Sequence, residues 1–494
     1  MPSIITDKFK TLLAKQVMSL VDDSKNNYLT SAGEALPANN KNYLYLVLGK
    51  QLPWNPSANT EGTVDPQDSE EYYTQVYRNG IFAKKLTLDN STLVVERINW
   101  TANTTYNTYY SNTNFYILNS KDQVFKCLSN NSSAISTVEP EITLTNTTLE
   151  EPFLETSDGY KWKYLYTVYP TQKQKFLTED WMPVYTNEFV KEKAVSRSID
   201  IVEITNAGSG YTDSPTSDII TIEGDGTGSI LKANVVSGNV VDIVIQARGQ
   251  DYTYANLSFS SAVGSNAAAV VKFAPEGGHG YDPISELRAK TFMVNVDFAG
   301  NESLHPVNNE FRQIFLLHNP KILSNSYIAT ATSYSLYTKI NVSAGVGDFN
   351  EDELVYQGTL ANPSFIAEVI YFDNINNVLY VNNIRGSLLL NNQIVGNVTG
   401  ANRVAVTTDT TAEEDRKTKL KLFSGDILFI SNKPPIQRDV DQTDRAQFIL
   451  SFWKIKRNKW LLSLTNNHIL MTLMKIRTSC EFFLSLDMQF NPEN

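Results

Sequence analysis

The chain has 494 residues, of which 41% are apolar and 19% charged, and its formal net charge is −11. This length allows about three domains of ~150 residues, and the apolar content excludes a chain that is disordered throughout. The acidic balance offers no basic face for nucleic acid, and no run of ~18 apolar residues predicts a membrane span.

The first predicted element is an amphipathic helix over residues 7–21. Thr6 or Asp7 can cap its first turn. The helix is expected to dock on a sheet, because a membrane-surface helix would need a more basic polar face. Interspersed lysines break any apolar core, so no signal peptide is expected. The apolar side chains at helical spacing are Phe9, Leu12, Leu13, Val17, Leu20 and Val21.

Strands and polar loops alternate over the next part of the chain. Tyr43–Leu48 is apolar on both faces and predicts a covered strand that ends at Gly49. Residues 55–75 are acidic and predict a loop, and Ala83–Val95 predicts a strand. Asn99–Asn114 is rich in Asn, Thr and Tyr, which is typical of either a mobile surface loop or a wet contact surface.

The clearest strand is Asp158–Val168. Its aromatic side chains share one face, while Lys161 and Lys163 alternate with them on the other. An aromatic ladder of this kind can stack bases or sugars. We favour one side of a sandwich core, because the alternating lysines supply the face that water needs. The members of the apolar face are Tyr160, Trp162, Tyr164, Tyr166 and Val168.

An internal repeat occupies residues 196–275. VEITNAGSGYT at Val202–Thr212 matches IVIQARGQDYT at Ile243–Thr253, and Tyr252 follows Tyr211 by 41 positions. Each copy has a strand, a Gly-containing turn and a Tyr-Thr pair, so two copies can stack and bury a shared face. This layout resembles the Gly-Ser-Gly-Tyr repeat modules of phage structural proteins.

A glycine-rich segment, Gly277–Gly280 (GGHG), follows the repeat and predicts a flexible joint that few contacts cross. Phe311–Leu317 then predicts a buried strand. Residues 335–407 predict a small barrel or sandwich, and their layout resembles the small β inserts of phage tail proteins. The strand-like runs of this module are Phe349–Leu360, Phe365–Phe372, Val378–Val381 and Gln393–Val395.

Two further strands are predicted in Gly425–Phe452, on either side of a turn at Pro434 and Pro435, because proline cannot donate to a sheet ladder. The second strand has an apolar face at period two, formed by Ala446, Phe448, Leu450 and Phe452. Residues 453–494 carry six basic and three acidic side chains, a net charge of about +3. Ile469–Ile476 within them could be helical.

The sequence contains few candidates for catalytic or metal-binding motifs. His279, His305, His318 and His468 are isolated from one another and from Cys127 and Cys480, so no metal spacing or disulfide framework is predicted. His318 ends an apolar strand and is expected to be structural. Gly224–Gly228 (GDGTG) imitates a phosphate loop but lacks the following Lys and helix, so we interpret it as the turn of the repeat.

Two acidic groups resemble cation sites. Asp348-x-Asn350-x-Asp352 imitates the start of a calcium loop, but Glu353 replaces the required Gly and Thr359 the required Glu. The second group is Asp439, Asp441 and Asp444, for which a solvated turn is the simpler interpretation. No catalytic, cofactor-binding or metal-binding residue is therefore predicted, and the chain is not expected to be an enzyme.

Several segments of the chain resemble a known family in the same order. They are YLVLGKQLPW at Tyr45–Trp54, RINW at Arg97–Trp100, VFKCL at Val124–Leu128 with DGYKWKYLY at Asp158–Tyr166, EFRQIFLLHNP at Glu310–Pro320, and NKPPI with a DQT turn and ILSF at the end of Gly425–Phe452. Together these resemble the gene product 8 type of baseplate wedge protein in T-even-type contractile-tailed phages. The resemblance covers about half the chain and ends near Phe452.

The resemblance implies a mainly β chain of nested sandwich and barrel modules with a few helices. It also implies a homodimer in the virion tail baseplate, made in the host cytoplasm. Its partners would be wedge subunits of the gene product 6, 7 and 10 types, without nucleic acid, membrane or cofactor. An alternative is a carbohydrate-binding or depolymerising tail protein. We predict a core domain from residues 1–100, 276–334 and 409–452, a β-rich domain at 101–195, inserted β modules at 196–275 and 335–408, and a basic extension at 453–494.

Overall fold

The computed structural model describes residues 5–22, 42–51, 63–111, 113–145, 153–298, 309–438 and 444–451, with the short strands at 454–455 and 482–483. The fold is mainly β with few helices, which confirms the predicted fold class. The helices of the described residues are α1 (Asp7–Val21), α2 (Glu70–Asn79), α3 (Pro170–Phe176), α4 (Glu188–Glu192), α5 (Pro283–Glu286) and α6 (Glu413–Lys417).

The strands follow in chain order. They are β1 (Leu44–Gly49), β2 (Gly80–Lys85), β3 (Ser91–Glu96), β4 (Tyr116–Leu118), β5 (Gln123–Asn130), β6 (Leu154–Glu155), β7 (Tyr160–Thr167), β8 (Trp181–Pro183), β9 (Ile199–Ser209), β10 (Ser214–Ser217), β11 (Ile220–Gly224), β12 (Thr227–Val236), β13 (Asn239–Gln250), β14 (Ala255–Phe259), β15 (Ser265–Phe273), β16 (Thr291–Phe298), β17 (Asn309–His318), β18 (Ser333–Ser335), β19 (Thr338–Val342), β20 (Leu354–Thr359), β21 (Asn362–Asp373), β22 (Val378–Gly386), β23 (Gln393–Gly396), β24 (Asn402–Thr408), β25 (Asp426–Arg438), β26 (Asp444–Ser451), β27 (Lys454–Ile455) and β28 (Phe482–Phe483).

The chain forms two compact units, Met1–Ala14 with Thr92–Phe292 and Lys15–Ser91 with Met293–Asn494. The first unit contains a four-stranded sheet in the order β4-β5-β7-β6. The predicted aromatic face of β7 is buried in its core, where Trp162 has no exposed surface and stacks on Tyr160 at 5.4 Å between ring centroids. The core interpretation of the ladder is therefore confirmed. The finer division of the chain into seven segments stays a prediction.

The repeat in the first unit is built by strand exchange between its two copies, Ile199–Val236 and Asn239–Phe273. The first strand of each copy pairs with the last strand of the other, so β9 pairs with β15 and β13 with β12. The equivalent tyrosines Tyr211 and Tyr252 are both 4% exposed, and the predicted shared core is confirmed. Each ring leaves no room for a Cβ on a glycine of the other copy. A Cβ on Gly264 would lie 2.2 Å from Tyr211, and one on Gly226 would lie 2.4 Å from Tyr252.

The second unit contains a five-stranded antiparallel sheet in the order β18-β2-β1-β17-β25. All six residues of β1 are buried, as its apolar character on both faces predicts. Val47 on β1 lies opposite Phe315 on β17, which in turn lies opposite Ile430 on β25. β26 is in a different sheet, where it neighbours β16.

The turn predicted at Pro434 and Pro435 is wrong, because β25 continues through both prolines. Gln313 on β17 pairs with Asn432, but Phe311, two residues away, pairs with Ile436. The two prolines therefore lie in a bulge, where no ladder hydrogen bond needs their missing N–H groups. β25 is also the edge strand of its sheet, the place where proline is tolerated.

The predicted small β module in the second unit is a closed six-stranded barrel in the order β19-β22-β21-β20-β23-β24. Alternate side chains fill its interior, including Val355, Phe365, Val369 and Ile394, each at most 1% exposed. A barrel has no free strand edge, so this segment can bury its own core.

Two local predictions are wrong, and one for Asn99–Asn114 holds only in part. The loop predicted over 55–75 gives way to α2 at Glu70, where the side chain of Ser69 accepts a hydrogen bond from the amide of Tyr72. The segment Asn99–Asn114 is neither a wet surface nor a free loop throughout, because Tyr106 is 2% exposed and packs in the core. Leu12 is 49% exposed, so the apolar face of α1 is narrower than predicted.

Some predictions fall on residues outside those described. These are Trp54, Asp439, Asp441, His305, Phe452, His468, Ile469–Ile476 and Cys480. Within the basic extension, the structure describes only the antiparallel pair β27 and β28.

Candidate functional site

The most unusual group in the first unit is a chain of five charged or ionisable side chains, of which four are buried and the fifth, Arg248, is 24% exposed. We call it the ionic chain, and its members in order of contact are Lys126 on β5, Glu286 on α5, His279, Asp200 on β9 and Arg248 on β13. Lys126 Nζ pairs with Glu286 Oε2, and His279 Nε2 bonds Asp200 Oδ2. Asp200 Oδ1 also pairs with Arg248, and His279 Nδ1 lies 3.7 Å from Glu286 Oε2.

The glycine-rich loop places His279 in the middle of this chain. Gly277, Gly278 and Gly280 have φ values of +83°, +93° and +85°, which only glycine adopts readily. The amide of Gly280 donates to Glu286 Oε1 at 2.8 Å. The sequence predicted a joint that few contacts cross, but His279 is 6% exposed and bonded on the Asp200 side. The loop is therefore anchored to both the repeat and α5.

The charges of the ionic chain balance when the imidazole is neutral. Burial, and after it the charge of Lys126, lowers the pKa of His279 to about 3. Burial opposes ionisation of Glu286, but Lys126 and the hydrogen bonds from its neighbours outweigh burial and hold the pKa of Glu286 at about 2. The Nε2–H then donates to Asp200, and Nδ1 carries the lone pair. Two cations and two carboxylates surround a neutral ring.

This arrangement links β5, α5, β9 and β13 through paired charges. Tyr109 closes it, with its ring 4.0 Å from Lys126 Nζ and edge-on to His279 at 5.6 Å. Burial raises the pKa of Tyr109 to about 12, so the phenol stays neutral. In the described ranges, no group of three or more His, Cys, Asp and Glu side chains is arranged to hold a metal ion.

A second cluster lies against the barrel wall in the second unit. We call it the barrel-wall cluster, and it comprises Lys50, Arg312, Glu351, Asp352 and Glu368. Asp352 Oδ1 lies 3.1 Å from Lys50 Nζ, and its Oδ2 lies 3.2 Å from Arg312 Nη2. Burial, and after it the charge of Asp352, raises the pKa of Glu368 to about 8. Glu368 is fully buried and is protonated at neutral pH.

The structure separates the residues of the calcium-like motif. Asp348 pairs with Arg403 at 3.0 Å, whereas Asp352 belongs to the barrel-wall cluster. The amide of Asn350 donates to Glu353 Oε1 at 2.8 Å. The three side chains therefore do not converge on one point where a cation could sit.

The remaining candidates have structural positions. His318 Nε2 lies 3.2 Å from Asn42 Oδ1, and burial lowers the pKa of its ring. Asp225 in the GDGTG segment accepts hydrogen bonds from the amides of Thr253 and Tyr254, which ties the turn to the other copy of the repeat. The side chain of Asp444 is outside the described part of the chain.

Sequence reasoning missed both clusters. Their members are far apart along the chain and have no characteristic spacing. The signal that the sequence offers is the GGHG segment, whose glycines lie on both sides of His279.

The fold, the ionic chain and the barrel-wall cluster together define a mainly β protein whose modules are joined by networks of charged side chains. No family model matches the chain, and no curated protein matches it. No helix in the described ranges has the length and apolar character needed to cross a membrane.

Proposed function

We propose that the chain is a structural subunit of the baseplate wedge of a contractile-tailed phage. The observation that carries this proposal is the ordered resemblance to the gene product 8 type. The resembling segments correspond to β1, the residues that directly follow β3, β5, β7, β17 and the pair β25 and β26. Most of these segments are strands, and all lie outside the repeat and the barrel, the two modules that the gene product 8 resemblance does not cover.

The ionic clusters support a mechanical role. Each buried charge needs its partner in place, because loss of one partner leaves the other buried and uncompensated. The ionic chain joins β5, α5, β9 and β13, and the barrel-wall cluster joins Lys50, directly after β1, to β17 and the barrel. A subunit that transmits force between wedge partners needs such joined elements, not an open catalytic cleft.

The test is reconstitution. The full chain would be co-expressed with wedge proteins of the gene product 6, 7 and 10 types from the same genome, and complexes would be separated by size-exclusion chromatography. Co-elution in a stoichiometric complex, with the chain present as a homodimer, is expected. A monomer at micromolar concentration that stays apart from all three proteins would refute the proposal.

The alternative proposal, a carbohydrate-binding or depolymerising tail protein, has a separate readout. Purified chain would be mixed with capsular polysaccharide, and viscosity and glycan binding would be measured. Loss of viscosity would show that a structural role is not the whole account. The β7 aromatics give this alternative no support, because they are in the core.

A further inference from the structure

Phe423, in the second unit, is an aromatic residue in a backbone position that normally takes glycine. Its φ is +59°, in the left-handed region, where a bulky side chain is a true outlier. The turn that holds Phe423 is tied to the segment after β17, since the backbone N–H of Lys321 donates to Ser424 Oγ at 2.9 Å. Strain of this kind persists only where surrounding structure holds it, and it is concentrated at functional positions.

The aromatic ring is held in place and yet half exposed. Tyr77 on α2 contacts it edge-on at 5.7 Å between centroids, and the Tyr77 hydroxyl donates to the carbonyl of Gly425 at 2.6 Å. The ring remains 53% exposed. A rigid, half-exposed aromatic is the type of side chain that dominates protein–protein interfaces, because little entropy is lost when it is covered.

The charge beside the ring is positive and has no counter-ion among the described residues. The guanidinium of Arg78 lies 5.6 Å from the centroid of Phe423. In the described part of the chain Arg78 forms no ion pair or hydrogen bond, and its Nε is buried without a partner. Lys421, in the same turn, donates to Ser326 Oγ, and its amide bonds the carbonyl of Lys321. Neither lysine forms an ion pair with any described residue.

We propose that Arg78, Phe423, Lys321 and Lys421 form a docking site for an acidic segment of a partner protein. A carboxylate of that segment pairs with the guanidinium of Arg78, and an adjacent apolar side chain covers Phe423. Charge complementarity selects this occupant, because a cationic aromatic patch stands out on a chain of net charge −11. The inference is independent of the proposed wedge function, since it uses only the local geometry.

The test is binding of the full chain to an array of short peptides that vary in acidic and aromatic content, followed by fluorescence anisotropy on the strongest binders. The expected binders combine Asp or Glu with one large apolar residue. Phe423→Gly relieves the backbone strain and should fold normally, but it should weaken binding about tenfold or more, as should Arg78→Gln. The controls Tyr169→Ala and Lys8→Gln remove an exposed aromatic and an exposed cation elsewhere, and should leave affinity within about twofold.

Several results would overturn the proposal. They are the absence of any binding peptide, binders without acidic residues, and equal affinity in Phe423→Gly. Equal binding of heparin or an oligonucleotide without dependence on Phe423 would reduce the patch to a simple anion site. If the same two variants abolish self-association in sedimentation, the occupant is a second copy of the chain, and the partner-segment assignment is wrong.

Discussion

Replacing Glu368 with Gln should stabilise the barrel and remove a pH dependence of its stability. Glu368 is fully buried on β21, and the groups that act on its charge are Asp352, Asn383, Lys50 and Arg312. Its pKa is about 8 in the fold against 4.5 ordinarily. Between these values the folded state keeps a proton that the unfolded state has lost, so the free energy of unfolding falls as pH rises from 4.5 towards 8. At pH 7, about 2.5 pH units above the ordinary pKa, the free energy of unfolding is therefore lower by roughly 3 kcal/mol.

The measurement is native-state hydrogen exchange on peptides from β21, because the chain has two units and a global unfolding curve would mix them. The opening free energy of the natural chain should fall by roughly 3 kcal/mol or more between about pH 5 and about pH 8, and that of Glu368→Gln should stay level. Glu223→Gln, an exposed change on β11, is the matched control. A flat profile in the natural chain, or an equally steep one in Glu368→Gln, would refute the protonated buried carboxyl.

Three further outcomes are expected. Trp162→Ala should destabilise the first unit by roughly 3–5 kcal/mol in urea denaturation. The control Tyr169→Ala, at an exposed side chain, should cost under about 1 kcal/mol. Equal losses of stability in the two variants would contradict the assignment of Trp162 to the core. Lys126→Met should cost roughly 3–5 kcal/mol of stability, because its carboxylate partner Glu286 stays buried. The control Lys121→Met, in the exposed pair with Glu141, should cost under about 1 kcal/mol. Equal melting temperatures of the two variants by circular dichroism would argue against a buried Lys126–Glu286 pair. Deleting Ala446–Ser451 should unfold the second unit, and a cooperative thermal transition in the deletion would show that β26 is dispensable.

The periodicity of apolar residues predicted the strands that bury one face. The alternation in Asp158–Val168 and in Ala446–Leu450 is local information, so the buried faces of β7 and β26 followed directly, although Ile449 is buried as well at 8% exposed. The 41-residue repeat was equally visible. Its strand exchange was not, because pairing between copies is decided by the tertiary fold.

The missed features depend on distant contacts. The Pro-Pro segment predicted a turn, but the register of β17 allowed a bulge instead. α2 carried a readable cap at Ser69, with Tyr72, Tyr73, Val76 and Tyr77 at helical spacing, and the acidic composition of 55–75 concealed it. The ionic chain could not be predicted, since Lys126, Asp200 and His279 meet only after the repeat folds.

The exchange of strands in the repeat sets the moment at which the module can form during synthesis. Ile199 on β9 pairs with Phe273 on β15. Until Phe273 has left the ribosome, β9, the first strand of the first copy, therefore cannot form its complete pairing. A chain that stalls inside the second copy would expose an unpaired apolar strand. The pairing also limits the module to two copies. The first strand of each copy is already paired with the last strand of the other, so the module cannot be extended by further repeats as a solenoid can.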